Sequence, residues 1–453
     1  MSEEYIKSLV QKSKKAQEVL ETYSQEQVDA IVRRFARIVF DEAEPLARMA
    51  ADETRMGVYE DKVKKNQGKA RIIWNSLKGK KSVGVLRRIP EEGIIEVAKP
   101  MGVVGAITPC TNPIVTPMCN AMFAVKGRNS IIVSPHPRGK KCATRVAELY
   151  RQALKELGAP EDVVQVIEEP TVELTNLLMK AVDVVIATGG MGMVRAAYSS
   201  GKPSFGVGAG NVQCIIDEGM DSGEVAEKVI DGRCFDNGII CSGEQTIIVN
   251  EKEYDQVLQA FVDKGAAYFD DPQTVEKFRS ALFQNDIMNK DVVGQSVAAI
   301  AAIAGVAVPE GTRVIILKAD DYGERDLLSK EKMCPVISAY PCRDFAHGVE
   351  IAYANLKVEG MGHSVSIHSN NQQNLEYAGN RLPVSRLLVN QICSTMNGGA
   401  FVNGLSPTTT LGCGSWGNNS ISENLSYRHL FNVSRIATVI PGKTQPSDEE
   451  IWG

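Results

Sequence analysis

The chain has 453 residues, 43% of them hydrophobic and 23% charged, with a formal net charge of -5. That is the composition of a soluble globular protein of about two or three domains, at roughly 100–200 residues each; no strongly basic stripe marks a nucleic-acid binder. No uncharged apolar run reaches the roughly 20 residues a membrane span needs, and Met1-Ser2-Glu3-Glu4-Tyr5 lacks the basic and apolar regions of a secretory signal. The ten cysteines include no Cys-x-x-Cys pair, and the five histidines stand at no zinc-ligand spacing. The expectation is a reduced, cytoplasmic protein without a metal, in which one free thiol is available for chemistry.

Residues 5–55 read as helices. Ile6, Leu9, Val10, Val19, Leu20 and Tyr23 recur at helical spacing, as do Val28, Ile31, Val32, Phe35, Ile38 and Val39. Ser24 with Gln27 is a capping-box signal for the second helix. The amphipathic first helix is either a docking tag or a surface helix packed on its own domain. A hairpin is predicted near 83–99, where two apolar stretches flank Pro90-Glu91-Glu92-Gly93. A βα alternation follows, with strands at 102–108, 130–133, 163–167 and 183–187 and helices at 113–126, 139–157, 171–180 and 191–199. Continuous apolar strands alternating with helices imply an α/β fold with a parallel sheet covered on both faces, and a ligand at the carboxyl ends of its strands. A second cycle, with strands at 213–216, 246–249, 313–317 and 336–339 and helices at 222–235, 253–267 and 344–357, implies a second α/β domain. The segment 398–424, rich in Gly, Asn, Ser and Thr, is too long for a simple connector.

Three segments carry chemistry. In Asp236-Asn-Gly-Ile-Ile-Cys241-Ser-Gly-Glu-Gln-Thr246 a thiol sits on a tight loop before a strand, within reach of a substrate. Alone, a packing cysteine is the simpler reading, and nine other cysteines make that alternative concrete. Thr108-Pro109-Cys110-Thr111-Asn112-Pro113 follows a buried strand and holds an amide between two prolines, as an oxyanion donor requires. Thr188-Gly189-Gly190-Met191-Gly192 ends a strand and opens a helix, where glycines let a pyrophosphate approach the helix N-terminus, although the spacing is not that of the usual dinucleotide fingerprint.

Together with Ile-Ile-Val-Ser-Pro-His-Pro (131–137), Gly-Val-Gly-Ala-Gly-Asn (206–211), Glu-Lys-Met-Cys-Pro-Val (331–336), Gly-Met-Gly-His-Ser (360–364) and Leu-Gly-Cys-Gly-Ser-Trp-Gly (411–417), these segments resemble the aldehyde dehydrogenase superfamily. They match its CoA-acylating branch in order over nearly the whole chain. The stretch Asn112-Pro-Ile-Val-Thr-Pro-Met-Cys-Asn120 is most similar to the succinate semialdehyde dehydrogenases that make succinyl-CoA. The carboxyl-terminal Pro446-Ser-Asp-Glu-Glu-Ile-Trp-Gly453 resembles acylating sulfoacetaldehyde dehydrogenases.

The resemblance implies a Rossmann-type cofactor domain over 1–207 interrupted by the hairpin, a catalytic domain over 208–415, and a tail over 416–453. Hairpin and tail would join two or four copies. It implies Cys241 as nucleophile, Asn112 as oxyanion donor and His363 as a group near the thioester, with a structural histidine as the alternative. Thr108, Pro109, Ser134, His136, Pro137, Arg138, Gly189, Gly190, Gly208 and Glu331 would hold NAD or NADP. For Glu331 the alternative is a solvated loop carboxylate. Ser134 to Arg138 contains no acid to repel a 2′-phosphate, and Arg138, Lys140 and Lys141 would attract one, so NADP is expected to be accepted; a solvated helix face is the alternative for those cations. Hydrolytic relatives carry a glutamate base where this chain has Gly206. Water needs a base to attack a thioester, whereas a thiol acceptor needs less help because its thiolate is accessible near neutral pH, so transfer to CoA is expected.

An anionic aldehyde such as succinate semialdehyde, or sulfoacetaldehyde, would need donors in its pocket. Ser242, Arg386 and Thr408 are the candidates, with an interdomain ion pair as the alternative for Arg386. Acetaldehyde ranks third as substrate. An acyl-phosphate reductase and a non-catalytic scaffold are the more distant readings.

Overall fold

A computed structural model describes residues 2–453. Four helices come first: α1 (Ser2–Leu20), α2 (Gln25–Asp41), α3 (Ala43–Thr54) and α4 (Tyr59–Leu77). Ser24 and Gln27 close the capping box at the start of α2. α1 buries Ile6 and Val10 against Leu178 and Met179, so its apolar face is occupied by its own domain and is not a free docking tag. α4 falls in a stretch for which no element was expected from the sequence. Its apolar residues Ala70, Ile72, Ile73 and Leu77 crowd its second half, and its first half is lysine-rich.

The hairpin β1 (Gly84–Ile89) and β2 (Ile94–Pro100) leads into a parallel sheet of β3 (Val103–Thr108), β4 (Ser130–Pro135), β5 (Val164–Val166), β6 (Val184–Thr188) and β7 (Ser204–Val207), in the order β5-β4-β3-β6-β7. Each residue of β3 and β4 is buried, as strands covered on both faces must be. One cover is α5 (Val115–Lys126), buried at every position between the sheet and α2 and α4. The remaining helices on this sheet are α6 (Lys140–Glu156), α7 (Val172–Ala181) and α8 (Met191–Tyr198). From β3 the chain goes to β4 and β5 on one side, then crosses back to β6 and β7 on the other. A crevice therefore opens at the carboxyl end of β3, the switch point of the sheet.

The second sheet holds β8 (Gln213–Ile216), β9 (Thr246–Asn250), β10 (Ala266–Phe269), β13 (Val314–Lys318), β14 (Val336–Cys342), β15 (Gly362–His368) and β16 (Val384–Val389), all parallel, in the order β10-β13-β14-β9-β8-β15-β16. A two-residue pair, β11 (Phe283–Gln284) with β12 (Ile287–Met288), lies outside it. Helix α9 (Ser222–Cys234) connects β8 to the segment before β9. Near the end of the chain β17 (Phe431–Ala437) returns to pair antiparallel with β2, from Phe431 opposite Pro100 to Ala437 opposite Ile94.

Candidate active site

Between α9 and β9 the chain makes a turn that no helix or strand propensity explains. Asp236, Asn237 and Gly238 take three consecutive left-handed conformations, φ +53°, +53° and +69°. Asp and Asn tolerate this region better than other side chains. Cys241 follows, on the loop before β9, and its neighbours are fastened down. Ser242 Oγ donates to the Ser394 carbonyl at 3.0 Å, Glu244 accepts from the Cys393 N–H at 2.8 Å, and Gln245 Oε1 accepts from the Lys332 N–H at 2.8 Å.

Two clefts meet at Cys241. The first, of about 380 Å³, is walled by the carboxyl ends of β3, β4, β6 and β7. Thr108, Pro109, Asn112, Ser134, His136, Pro137, Gly189, Gly190, Gly208 and Glu331 line it with the thiol. A Cβ added at Gly189 or Gly190 would meet nothing within 4 Å, so the N-terminus of α8 is bare. The Thr108 hydroxyl is buried with no protein partner. An approachable helix N-terminus with an unspent hydroxyl beside it fits a dinucleotide pyrophosphate. Glu331 is not a solvated carboxylate. It accepts from the Gly210 N–H at 3.3 Å, and burial, then Glu359, push it up to about 8.

The second cleft, also about 380 Å³, lies on the other side of the thiol. Cys241, Asn112 and Thr409 belong to both. Its other walls include apolar Ile72, Val115, Phe235, Ile240 and Leu411 together with Ser242, Thr408, residues of the 394–401 segment, and Lys64, Lys65 and Lys69 of α4. Lys69 donates to the carbonyls of Gly398 and Thr408 at 3.1 and 3.3 Å, and burial, with Lys65 adding, lowers it to about 8. The hydroxyls expected to grip a substrate are spent on the loops. Besides the Ser242 bond, Thr408 Oγ1 accepts from the Thr410 N–H at 3.1 Å.

The profile of the aldehyde dehydrogenase family matches residues 1–406. The chain belongs to that family. It is 56% identical over 448 residues to the succinate-semialdehyde dehydrogenase (acetylating) of Clostridium kluyveri, covering 99% of both chains. It is 40% identical over 454 residues to the sulfoacetaldehyde dehydrogenase of an Acholeplasma species, covering 99% of this chain and 93% of the other. The crystal structure of an acetylating aldehyde dehydrogenase from Geobacillus thermoglucosidasius superposes with a TM-score of 0.94 at 36% identity, covering 98% of each chain.

In this aldehyde dehydrogenase the position expected to lack a hydrolytic base has no room for one. A Cβ on Gly206 would stand 2.7 Å from Val194 Cγ1 and 2.9 Å from Tyr198 Cε2, and the Gly206 N–H donates to the Tyr198 hydroxyl at 2.9 Å.

Three expectations change. Arg386 does not face a substrate, nor is it tied by an interdomain ion pair. Its guanidinium is buried, donating to Ser364 Oγ at 3.2 Å, Asn424 Oδ1 at 3.2 Å and the His363 carbonyl at 2.9 Å. His363 lies beside the Cys241 backbone but lines neither cleft: its Cε1 and the Cys241 carbonyl oxygen would be 3.3 and 1.9 Å from a Cβ on Gly210. Its ring is fully buried, without a partner for either nitrogen, and burial, then Arg386, lowers it to about 3. In this state it is neutral and a poor base. Arg138 donates to the Thr54 carbonyl at 2.7 Å and does not line the first cleft, and Lys140 is paired with Glu169. An acid also arrives from elsewhere, because the Glu53 carboxylate caps the Lys141 and Cys142 N–H groups at 2.8 and 2.9 Å.

The thiol also departs from a free cysteine. Burial, then Glu331 and Cys413, push Cys241 up to about 12, with Arg386 opposing. It is a protonated thiol at neutral pH in this state. Lys65, Lys69 and Asp236 were not among the site residues expected from the sequence. The lysine spacing 62, 65, 69 along one helical face was the available signal.

Proposed function

We propose that the chain oxidises succinate semialdehyde to succinyl-CoA with NAD(P) as hydride acceptor, through a thioester on Cys241. The observation that carries this is one thiol shared by two clefts, with Lys65 and Lys69 in the wall of the second. An aldehyde with an anionic tail, entering that cleft, meets ammonium groups that offset the cost of removing its carboxylate from water. The Clostridium kluyveri relative supports the same substrate.

Cys241 Sγ releases its proton to water in the cleft and bonds to the carbonyl carbon, whose oxygen takes the C=O π pair and becomes an oxyanion. Asn112, which no protein group engages through its side chain among the described residues, donates to that oxygen; the Cys241 N–H is the second donor. When bound, the nicotinamide ring supplies the acceptor for the hydride that leaves the same carbon as the carbonyl re-forms. Gly189, Gly190, Thr108, Pro109, Ser134, His136, Pro137, Gly208 and Glu331 would hold that group. The acyl carbon remains on Sγ as a thioester until the CoA sulfur bonds to it and the Cys241 sulfur leaves, the CoA thiol proton ending on Cys241 Sγ, which restores the protonated thiol. The packing at Gly206 denies water a carboxylate base at that position, so the thioester awaits the better nucleophile.

In this reading the β3–β7 sheet serves the cofactor and the β8–β16 sheet carries the nucleophile. β1, β2 and β17, with exposed Ile436, Val439 and Trp452, meet a second copy. No helix among the described residues is long and apolar enough to cross a membrane, and ten free cysteines suit the cytoplasm.

A sulfonate tail would use the same lysines, so sulfoacetaldehyde is the second reading. Catalytic efficiencies on succinate semialdehyde, sulfoacetaldehyde and acetaldehyde, with CoA and either nicotinamide dinucleotide, test the proposal. Succinate semialdehyde should rank first. A win for acetaldehyde overturns the anionic cleft, and equal product release with phosphate in place of CoA overturns the acceptor.

A further inference from the structure

The first half of α4 is joined to the nucleophile turn by a buried ionic knot. Asp236, with no exposed surface, accepts from the Lys65 ammonium at 2.6 Å, the Lys62 ammonium at 3.0 Å and the Val58 N–H at 2.8 Å. Its own N–H donates to Asp61 Oδ2 at 2.9 Å. Burial would raise the Asp236 carboxyl, but Lys65 and Lys62 outweigh it and hold it below the usual range. The knot needs Gly57, at φ +78°, because a Cβ there would stand 1.9 Å from Asp236 Oδ1.

Lys65 reaches further. Its ammonium is 3.5 Å from the Thr111 carbonyl, a charge–dipole contact, and its side chain lines the second cleft. Thr111 immediately precedes Asn112, and Asp236 lies five residues before Cys241. One cation therefore touches both the segment that carries the nucleophile and the segment that carries the oxyanion donor, although the two come from different sheets.

We propose that Lys65 and Asp236 form a clasp that sets the spacing between the Cys241 thiol and the Asn112 amide, which makes both of them positioning residues for thiohemiacetal formation. This rests on the assignment of Cys241 and Asn112 given above. The clasp acts on the step that develops the oxyanion. It does not act on reactions of the thiol that develop none, such as displacement of iodide from iodoacetamide.

The test uses the full chain with Lys65→Met, Lys65→Arg and Asp236→Asn. It reads the single-turnover burst of reduced cofactor with saturating succinate semialdehyde and with butyraldehyde, which has no anionic tail, beside the rate of inactivation by iodoacetamide. Lys65→Met should slow the burst by roughly 10–100-fold with both aldehydes, while inactivation stays within about threefold of the parent. Lys65→Arg, which keeps the charge and the reach, should recover most of the burst. Asp236→Asn should slow the burst like Lys65→Met, as the second variant should Lys65→Met fold poorly. An unchanged burst, a loss confined to KM for succinate semialdehyde, or a parallel fall of burst and inactivation would overturn the clasp. Full activity of Cys241→Ala would instead remove the assignment beneath it.

Discussion

On its cofactor side Cys241 faces glycines, prolines and threonines at the carboxyl ends of β3, β4, β6 and β7; on its other side it faces lysines of α4 and the loop 394–401. The first cleft is shaped by backbone. Bare glycines and rigid prolines bring main-chain N–H groups to a surface, and a ligand common to a whole family can be held that way. The second cleft is lined in part by long side chains from α4 (Tyr59–Leu77), far before Cys241 in the chain. Substrate choice can then change by single substitutions that leave the cofactor side alone.

The sharpest division comes from the residue the two sides share. Cys241→Ala should lower turnover by about 10⁴-fold or more, while dinucleotide binding followed by fluorescence titration stays within about threefold. Loss of both together would mean that the clefts are not independent. Lys69→Met should lower kcat/KM for succinate semialdehyde by roughly 50-fold and that for butyraldehyde by less than about threefold. The Lys69 ammonium, at about 8, is charged below that pH and neutral above it. KM for succinate semialdehyde should therefore rise between pH 7 and pH 9 with no matching rise for butyraldehyde. A flat profile would remove Lys69 from tail recognition.

On the cofactor side, Gly189→Val places a side chain in open space. Thermal stability should hold, and KM for the dinucleotide should rise about 10-fold as the approach to α8 is blocked. The smallest effect is electrostatic. The Glu331 carboxylate raises the Cys241 thiol only while it is ionised, above about pH 8. Glu331→Gln should therefore speed iodoacetamide inactivation about threefold above pH 8, and the two rate profiles should merge below pH 7. Identical profiles at high pH would place the carboxylate too far away to matter.

The same contrast explains what could be read from the chain. β3, β4 and β6 are continuous apolar runs ending in Thr-Pro, Ser-Pro and Thr-Gly-Gly, so position and ligand chemistry coincide in a few adjacent residues. Cys241 stood out less by itself, since a cysteine between an apolar pair and a small polar turn reads first as a packing residue, and it was the resemblance of the other segments that singled it out. α4 gave no such signal because its first half is paid for by Asp236 and the loops it touches rather than by an apolar stripe. Arg386 was misread because a cation near matched segments says nothing about which way the guanidinium turns. It faces Ser364, Asn424 and a carbonyl. Strands β10, β15 and β16 escaped because they are short or interleave serine, histidine and arginine with the apolar residues, and their burial is decided by the neighbours they pair with.

Gly206 makes one change of chemistry costly to the fold. Its missing side chain is occupied volume, filled by the ring of Tyr198 and the methyl of Val194. Restoring a carboxylate by one codon change would drive it into a packed helix, at a cost of about 1–3 kcal/mol or more. A lineage leaving acyl transfer for hydrolysis would first have to hollow out α8, losing packing before it gained a base. A carboxylate at this position is thus opposed by packing one layer behind the chemistry.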